Sequence, residues 1–202
     1  VASAIAIFQT DVKRLFAYSS VAQIGYIILG LSFGSINGLT ATVVHLVNHG
    51  VSKGAIFMLL GGVALRMGGT SLTRVHGLGR SMPWTSAGLV ICGLSLIGVP
   101  GTAGFVSKWY LLLAAFEKGQ WWLVFLIVLS SLLAVAYVWR FVEAAYFRAP
   151  RADITTPDEA PMSMLVPTAV LVVATVYFGL DTSFTVGSAT HAAATLMGGV
   201  RQ

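Results

Sequence analysis

The sequence has very few charged side chains, which make up 9% of its 202 residues, whereas 56% of the residues are hydrophobic. Soluble domains usually carry about 25% charged residues, so this composition excludes an ordinary soluble domain. Several apolar runs reach the roughly 20 residues that are needed to cross a hydrocarbon core of about 30 Å. We therefore predict an all-α, polytopic protein of the lipid bilayer. Its net charge of +5 reflects loop arginines and buried lysines, not nucleic-acid binding.

The chain also lacks the patterns that support metal or cofactor chemistry. Its single cysteine, Cys92, lies in an apolar run and predicts neither a disulfide framework nor a cysteine-bound metal. His45 and His49 have the i, i+4 spacing of a zinc-binding helix, but no carboxylate or cysteine lies nearby to complete the ligand set. Gly-rich phosphate loops and serine nucleophile motifs are missing as well. We therefore expect no metal, no cofactor and no catalytic residues of the soluble-enzyme type.

Glycine, proline and clustered charges divide the chain into about five predicted spans. These are residues 15–33, 40–66, 84–118, 121–145 and 162–180, with a short N-terminal stub before them and a C-terminal tail at 181–202. The segment 84–118 is interrupted by Gly-Val-Pro-Gly at 98–101. This segment fits either two short spans or one span that is broken in mid-membrane.

The distribution of basic residues favours the single broken span, because cytoplasmic loops carry an excess of lysine and arginine. With one broken span, a single predicted cytoplasmic face carries Lys13, Arg14, Arg66, Arg74, Arg80, Arg140, Arg148 and Arg151, and the opposite face keeps Lys118 and Arg201. Broken helices occur at membrane depth where protein or water satisfies the freed backbone groups, and transporters use them at the transport site. We predict that Pro100, Gly101 and Gly104 form this break and its close packing.

Three polar residues share one face of the span 40–66. His45 and His49 precede Lys53 by eight and four residues, a spacing that gives a stripe about 12 Å long at roughly 3.6 residues per turn. Lys108 follows the helix break. A charged side chain at the bilayer centre costs roughly 2.5–3.5 kcal/mol on insertion scales, so such residues mark polar pathways. Because burial disfavours the charged form of lysine and histidine exchanges protons near neutral pH, the stripe is typical of a proton path.

Simpler interpretations of these residues remain open. A lysine near a helix end usually extends its amine to the headgroups, although Lys53 is central in its span and Lys108 lies well inside the other. His45 suits a structural hydrogen bond as well as a proton relay. Near the end of the span 121–145, Glu143 is expected to pair with Arg140.

Three ordered motifs carry a resemblance to a known family. They are DVKRLFAYSSVAQIGYIILG at 11–30, HLVNHGVSKGAIF at 45–57 and GVPGTAGFVSKW at 98–109. With these motifs, residues 1–150 resemble the C-terminal half of the antiporter-like family. That family contains the large subunits of Mrp-type monovalent cation/proton antiporters, the D subunit especially, and the proton-translocating membrane subunits of respiratory complex I and related hydrogenases.

The resemblance implies two inverted helical repeats, each with a broken helix, and a hydrophilic axis of charged residues in mid-membrane. The family's central histidine and lysine positions fall on His45, His49 and Lys53, and its broken-helix lysine falls on Lys108. By resemblance, Lys108 ends the outward half-channel and Lys53 passes protons toward it. The family's first repeat is absent, so we expect the chain to be part of a longer protein and unable to transport by itself.

We therefore predict a multi-pass subunit of a cell-membrane cation/proton antiporter that moves protons through the Lys/His axis in exchange for a monovalent cation, Na⁺. Its expected partners are other membrane subunits of a hetero-oligomeric assembly. One alternative is a proton-pumping subunit of a complex I-type NADH:quinone oxidoreductase or a membrane-bound hydrogenase. Another is a structural membrane module whose polar residues only stabilise helix packing.

Overall fold

The computed structural model describes residues 1–150 and 158–199, and this part of the chain is helical apart from short connectors. The elements are α1 (Ala2–Ile7), α2 (Val12–Ser32), α3 (Ile36–Met67), α4 (Leu78–Ser81), α5 (Pro83–Ile97), α6 (Ala103–Glu117), α7 (Trp121–Val142), a π-helical turn (Glu143–Phe147), α8 (Met162–Leu180) and α9 (Ser183–Gly199). Arg151 and Arg201, which entered the topology prediction, lie outside the described residues. The prediction of an all-α membrane bundle is confirmed.

Local sequence signals set the ends of the longest helix. Ser35 caps the start of α3 by accepting a hydrogen bond from the Gly38 amide at 3.1 Å, which is the usual role of serine at this position. Gly68 ends the helix with φ at 68°, in the left-handed conformation that glycine adopts readily. With 32 residues, α3 is about 48 Å long at roughly 1.5 Å per residue. It begins before the predicted residue 40 because Ser35 supplies the cap.

Helices α5 and α6 together form one broken crossing. Each has 15 residues and is about 22 Å long, too short to cross a core of about 30 Å. The start of α5 is held by Glu159, whose carboxylate accepts a hydrogen bond from the Trp84 amide at 2.9 Å. The end of α6 lies at the other side of the bundle, where Asn37 at the start of α3 donates to Glu117. The predicted span broken at residues 98–101 is therefore confirmed.

Most of the described lysines and arginines lie at one end of the bundle. Four helices in this part of the chain are long and apolar enough to cross a membrane: α2, α3, α7 with its π-helical turn, and α8. Alternate crossings bring together the start of α2, the end of α3, the start of α5 and the end of α7. This end carries Lys13, Arg14, Arg66, Arg74, Arg80, Arg140 and Arg148, and Lys118 lies at the opposite end.

One predicted ion pair is wrong. Glu143 pairs with Arg148 at 2.5 Å, not with Arg140. Arg140 instead donates hydrogen bonds to the carbonyl oxygens of Ile7 and Gln9. These carbonyls lie at the end of α1 and lack a helical partner. Arg140 therefore links α7 to the end of α1.

Residues 181–199, predicted only as a tail, contain the helix α9 and extend the last crossing. Helix α8 runs antiparallel to α3, so that a Cβ placed on Gly54 would lie 3.4 Å from Leu171. Helix α9 continues along α3 toward its start, and Thr40 donates a hydrogen bond to Thr190 at 3.4 Å. Buried Ala189 and Ala193 face the bundle. Together α8 and α9 follow the whole of α3, and their junction is at Asp181 and Thr182.

Candidate functional site

The amine of Lys53 is buried against α2. Lys53 is only 6% exposed, and its amine donates hydrogen bonds to the carbonyl oxygen of Phe16, at 2.6 Å, and to the hydroxyl of Ser19. The rings of Phe16 and Phe57 lie 5.5 and 5.8 Å from the amine, within the range of a cation–π contact. Both hydrogen-bond acceptors are uncharged oxygens. The lysine is thus accommodated without a carboxylate.

The two histidines of α3 lie one turn apart with stacked rings. The ring planes of His45 and His49 are inclined by 3° and their centroids are 5.8 Å apart. His45 Nδ1 forms a 2.8 Å hydrogen bond with the hydroxyl of Ser107 on α6. Tyr26 of α2 approaches the His45 ring edge-on at 5.6 Å. His45 therefore connects α3 with α2 and α6 at the middle of the bundle.

A small polar cavity lies beside the histidines. It has a volume of about 10 Å³ and is lined by Gln23, His45, Asn48, His49, Ser52, Ser95, Leu96 and Gly104. This volume is close to the minimum of roughly 10–15 Å³ that holds one water. Within the described residues, His45 Nε2, Asn48 Oδ1 and His49 Nδ1 are buried without a hydrogen-bond partner. The cavity thus combines the size and the polar groups that suit a single water.

Lys108 lies at the break between α5 and α6, where it caps the end of α5. Its amine donates hydrogen bonds to the carbonyl oxygens of Leu96 and Ile97, at 2.7 and 2.8 Å, and to the hydroxyl of Ser131 at 3.0 Å. Carbonyls at the C-terminal end of a helix lack helical partners and carry partial negative charge, so they favour a cation. Lys108 is 5% exposed. Its amine is therefore stabilised by the broken helix itself.

Tyr26 lies between Lys108 and His45. The amine of Lys108 is 5.1 Å from the centroid of the Tyr26 ring, whose other neighbour is the His45 ring. The polar residues consequently follow one another in the order Lys53, His49, His45, Tyr26 and Lys108. In the described part of the chain no direct hydrogen bond joins Lys53 to His49, because the lysine amine turns toward α2.

The three residues predicted to form the break have different environments. Gly101 has φ at 85°, a left-handed conformation that favours glycine, whereas Pro100 is exposed. Gly104 allows the start of α6 to lie directly against the end of α5, since a Cβ there would be 1.8 Å from the carbonyl oxygen of Ser95. The Gly104 amide also donates to the Ser95 hydroxyl at 3.0 Å. The break is thus held closed beside the polar cavity.

Several polar residues of the site were not predicted as members of it. Ser19, Gln23 and Tyr26 are buried on one face of α2, and Gln23 donates to the carbonyl oxygen of Leu96 at 3.3 Å. Their i, i+4, i+7 spacing is the signal that was available in the sequence. Ser107 and Ser131 carry no comparable pattern of polar residues along one helix face. Their contribution depends on tertiary packing.

Ser19 and Ser20 offer a matched pair for testing the environment of Lys53. Both hydroxyls donate to the carbonyl oxygen of Phe16, but only Ser19 also accepts from Lys53. We expect Ser19→Ala to lower the stability by about 1–3 kcal/mol, because a buried charged donor loses an acceptor. Ser20→Ala should change it by less than about 0.5 kcal/mol. Thermal unfolding of the purified protein measures both, and equal effects would contradict the assigned contact.

Comparison with known proteins adds relatives of two kinds. The family model "NADH:quinone oxidoreductase/Mrp antiporter, TM" matches residues 1–134. NADH-quinone oxidoreductase subunit N of Desulforudis audaxviator (strain MP104C) is 41% identical over 190 residues, covering 88% of this chain and 38% of that protein. The A/B subunit of a probable K(+)/H(+) antiporter of Rhizobium meliloti (strain 1021) is 34% identical over 197 residues, covering 93% of this chain and 19% of that protein.

A solved structure supports the same fold. The structure of the Mrp complex from Dietzia sp. DQ12-45-1b contains a chain that superimposes with a TM-score of 0.91 over 97% of this chain and 45% of that chain. The sequence identity is 23%, so the likeness concerns the fold alone. The present chain spans less than half the length of each of these three proteins.

Proposed function

Because the chain belongs to the NADH:quinone oxidoreductase/Mrp antiporter family, we propose that it carries protons within a membrane subunit of a multisubunit cation/proton antiporter. Protons pass between Lys53 and Lys108 by way of His49 and His45, and their movement is coupled to exchange of a monovalent cation, Na⁺. The partners are other membrane subunits of the assembly. By resemblance to the family, the segment contributes one part of a longer path.

The uncharged surroundings of the two lysine amines carry this proposal. The Lys53 amine is held by one backbone carbonyl and a serine hydroxyl, and the Lys108 amine by two backbone carbonyls and a serine hydroxyl. In the described residues the one ion pair is Arg148 with Glu143, at the end of α7. Because neither lysine is locked to a carboxylate, each can release its proton without leaving a buried counter-charge behind.

The groups between the lysines are suited to proton exchange. The imidazole nitrogens of His45 and His49 that face the small cavity have no partner in the described part of the chain. A neutral imidazole both accepts and donates a proton, so a single water in the cavity would link the two rings. The Ser107 hydroxyl fixes the orientation of His45. This arrangement leads from His49 through His45 toward α6 on the other side of α3.

Lys108 also borders a larger cavity at the surface of the bundle. This cavity of about 240 Å³ lies between α6 and α7 and is lined by Lys108, Ser131 and mainly apolar side chains. Its outer lining includes Trp109, Val128 and Leu132, which are 51%, 45% and 61% exposed. By resemblance to the family we assign the outward end of the proton path to Lys108, whose amine also borders this cavity.

A second function has support of its own, namely proton pumping within a complex I-type oxidoreductase. The 41% identical Desulforudis protein is an NADH-quinone oxidoreductase subunit N. The same lysines and histidines would then move protons in response to quinone reduction instead of cation exchange. The two functions share the proton path and differ in the source of energy.

Transport in membrane vesicles that contain the complete assembly tests the proposal. Addition of Na⁺ is expected to dissipate a preset pH gradient. Lys53→Met should slow this dissipation at least about tenfold, because a positioned proton-transfer group contributes a factor of that size or more to the rate. Lys13→Met is the matched control, since Lys13 is an exposed lysine at the start of α2. An unchanged rate in Lys53→Met would contradict the assigned role. A pH gradient that responds to NADH and not to Na⁺ would establish the second function.

A further inference from the structure

The junction between α8 and α9 places a carboxylate at the depth of the helix break. Gly179 packs directly on Thr102, since a Cβ on Gly179 would lie 2.3 to 2.5 Å from the backbone atoms of Thr102. Leu180 similarly lies 3.8 Å from the Cβ position of Gly101. Asp181 follows at once and begins the junction. Because the break divides α5 from α6, each about 22 Å long, Asp181 lies near mid-depth of the bundle.

The contacts of Asp181 within the chain are all with uncharged groups. One carboxylate oxygen accepts hydrogen bonds from the amide and hydroxyl of Ser183, at 3.0 and 2.6 Å. The other oxygen accepts from the hydroxyl of Tyr177 at 3.0 Å. Among residues 1–150 and 158–199 no lysine, arginine or histidine forms an ion pair with Asp181. Within the described part of the chain its negative charge is therefore stabilised by hydrogen-bond donors and by the start of α9, and not by a cationic side chain.

Asp181 is partly exposed on the outer side of this crossing, in an apolar surface. The neighbouring side chains that point away from the bundle are Val173, Tyr177, Leu180 and Phe184, which are 65%, 51%, 72% and 68% exposed. Such a surface suits lipid or another transmembrane helix. A carboxylate at bilayer depth is costly in lipid and persists mainly where it pairs with another polar group. A transmembrane helix with one basic side chain would cover the apolar surface and would also pair with the carboxylate.

We propose that the outer face of α8 and α9 is the docking surface for a transmembrane helix of a partner subunit, and that a lysine or arginine of this helix pairs with Asp181. The inference rests on the proposed membership of a multisubunit assembly. Val173 and Phe184 pack against the apolar part of the partner helix, one on each side of the junction. The ion pair fixes the depth at which the two helices meet.

Helix α1 makes its main contacts with other parts of the bundle than this face. Any upstream segment connects through α1, which packs against α2 and α7, whereas α8 and α9 pack against α3, α5 and α6. The face with Asp181 is therefore on the side of the bundle away from α1. Lipid alone would leave the carboxylate without a cation.

Charge reversal in the complete assembly tests the inference. We expect Asp181→Lys to lower the yield of other subunits that co-purify with the tagged chain at least about tenfold, because like charges at an interface repel strongly. Asp181→Asn, which keeps the hydrogen-bond acceptor, should lower it less. Glu117→Lys is the matched control, since Glu117 is exposed at the end of α6. Unchanged co-purification of Asp181→Lys would overturn the inference.

A second measurement covers the case in which Asp181→Lys fails to fold. A photo-crosslinking residue replaces Val173, which forms no part of the junction, in an otherwise unaltered chain. The expected adduct is with a transmembrane peptide of another subunit that contains a lysine or arginine. Adducts with lipid alone, or with the same chain, would overturn the inference. If no other subunit co-purifies with the unaltered chain, the proposed function fails as well. If other subunits do co-purify but both tests fail, only the inference about Asp181 is contradicted.

Discussion

Replacement of Lys108 by alanine is expected to lower proton-coupled cation transport by at least about 100-fold, the range contributed by a positioned proton-transfer group. The substitution removes the amine that joins the polar axis to the cavity between α6 and α7. It also leaves the carbonyl oxygens of Leu96 and Ile97 without their donor. The measurement is the initial rate of Na⁺-driven proton movement in vesicles that contain the complete assembly.

Lys108→Arg separates proton transfer from simple neutralisation of the helix end. Arginine keeps the positive charge and donates to the same carbonyls, but its guanidinium does not release a proton in proteins. Transport should therefore remain as low in the arginine variant as in the alanine variant, while thermal stability recovers. Lys118→Ala, at the exposed end of the same broken crossing, should transport normally. Full activity in Lys108→Arg would show that charge alone suffices.

Gly104→Ala is expected to cause the largest loss of stability. The added Cβ would lie 1.8 Å from the backbone oxygen of Ser95, and a backbone atom cannot rotate away as a flexible side chain can. Overpacking of this kind costs typically 1–3 kcal/mol and occasionally more. At roughly 2–4 °C per kcal/mol for a chain of this size, a cost of about 3 kcal/mol lowers the unfolding midpoint by about 6–12 °C.

Gly25→Ala is the matched control for Gly104→Ala. Gly25 is also a helical glycine, but a Cβ there would meet no atom within 4 Å. Alanine favours a helix over glycine by up to about 1 kcal/mol, so the midpoint of this variant should stay the same or rise. Thermal unfolding of the purified protein in one detergent compares the two. Similar midpoints in both variants would show that α5 and α6 are not in close contact at Gly104.

The apolar composition of the chain and the interruption of one apolar segment were sufficient to predict the membrane fold and its broken crossing. The Gly-Val-Pro-Gly segment at 98–101 and the positions of the basic residues indicated a single crossing, which the ends of α5 and α6 confirm. The last crossing was predicted less completely. Residues 183–199 include several glycines, alanines and threonines, so their hydropathy is weak, and their helix gains its apolar contacts from α3.

The individual contacts of the polar site could not be predicted from the sequence. The spacing of His45, His49 and Lys53 fixed their common helix face, but it did not show that the Lys53 amine turns toward Ser19 on α2. A lysine side chain has several rotatable bonds, and its direction depends on where an uncompensated acceptor lies in the fold. The same holds for Lys108, whose carbonyl partners become available only because α5 ends at Ile97.

The central depth of Lys108 has an electrical consequence. One elementary charge that crosses the whole membrane gains or loses about 2.3 kcal/mol per 100 mV. Lys108 binds the end of α5 near mid-depth, so a proton that reaches it from water on either side passes through roughly half of the field, worth about 1.2 kcal/mol. A change of 100 mV in membrane potential would then alter the ratio of protonated to neutral amine roughly sevenfold. With Lys108 in the proposed proton path, the broken helix would make the proton occupancy of this site sensitive to voltage.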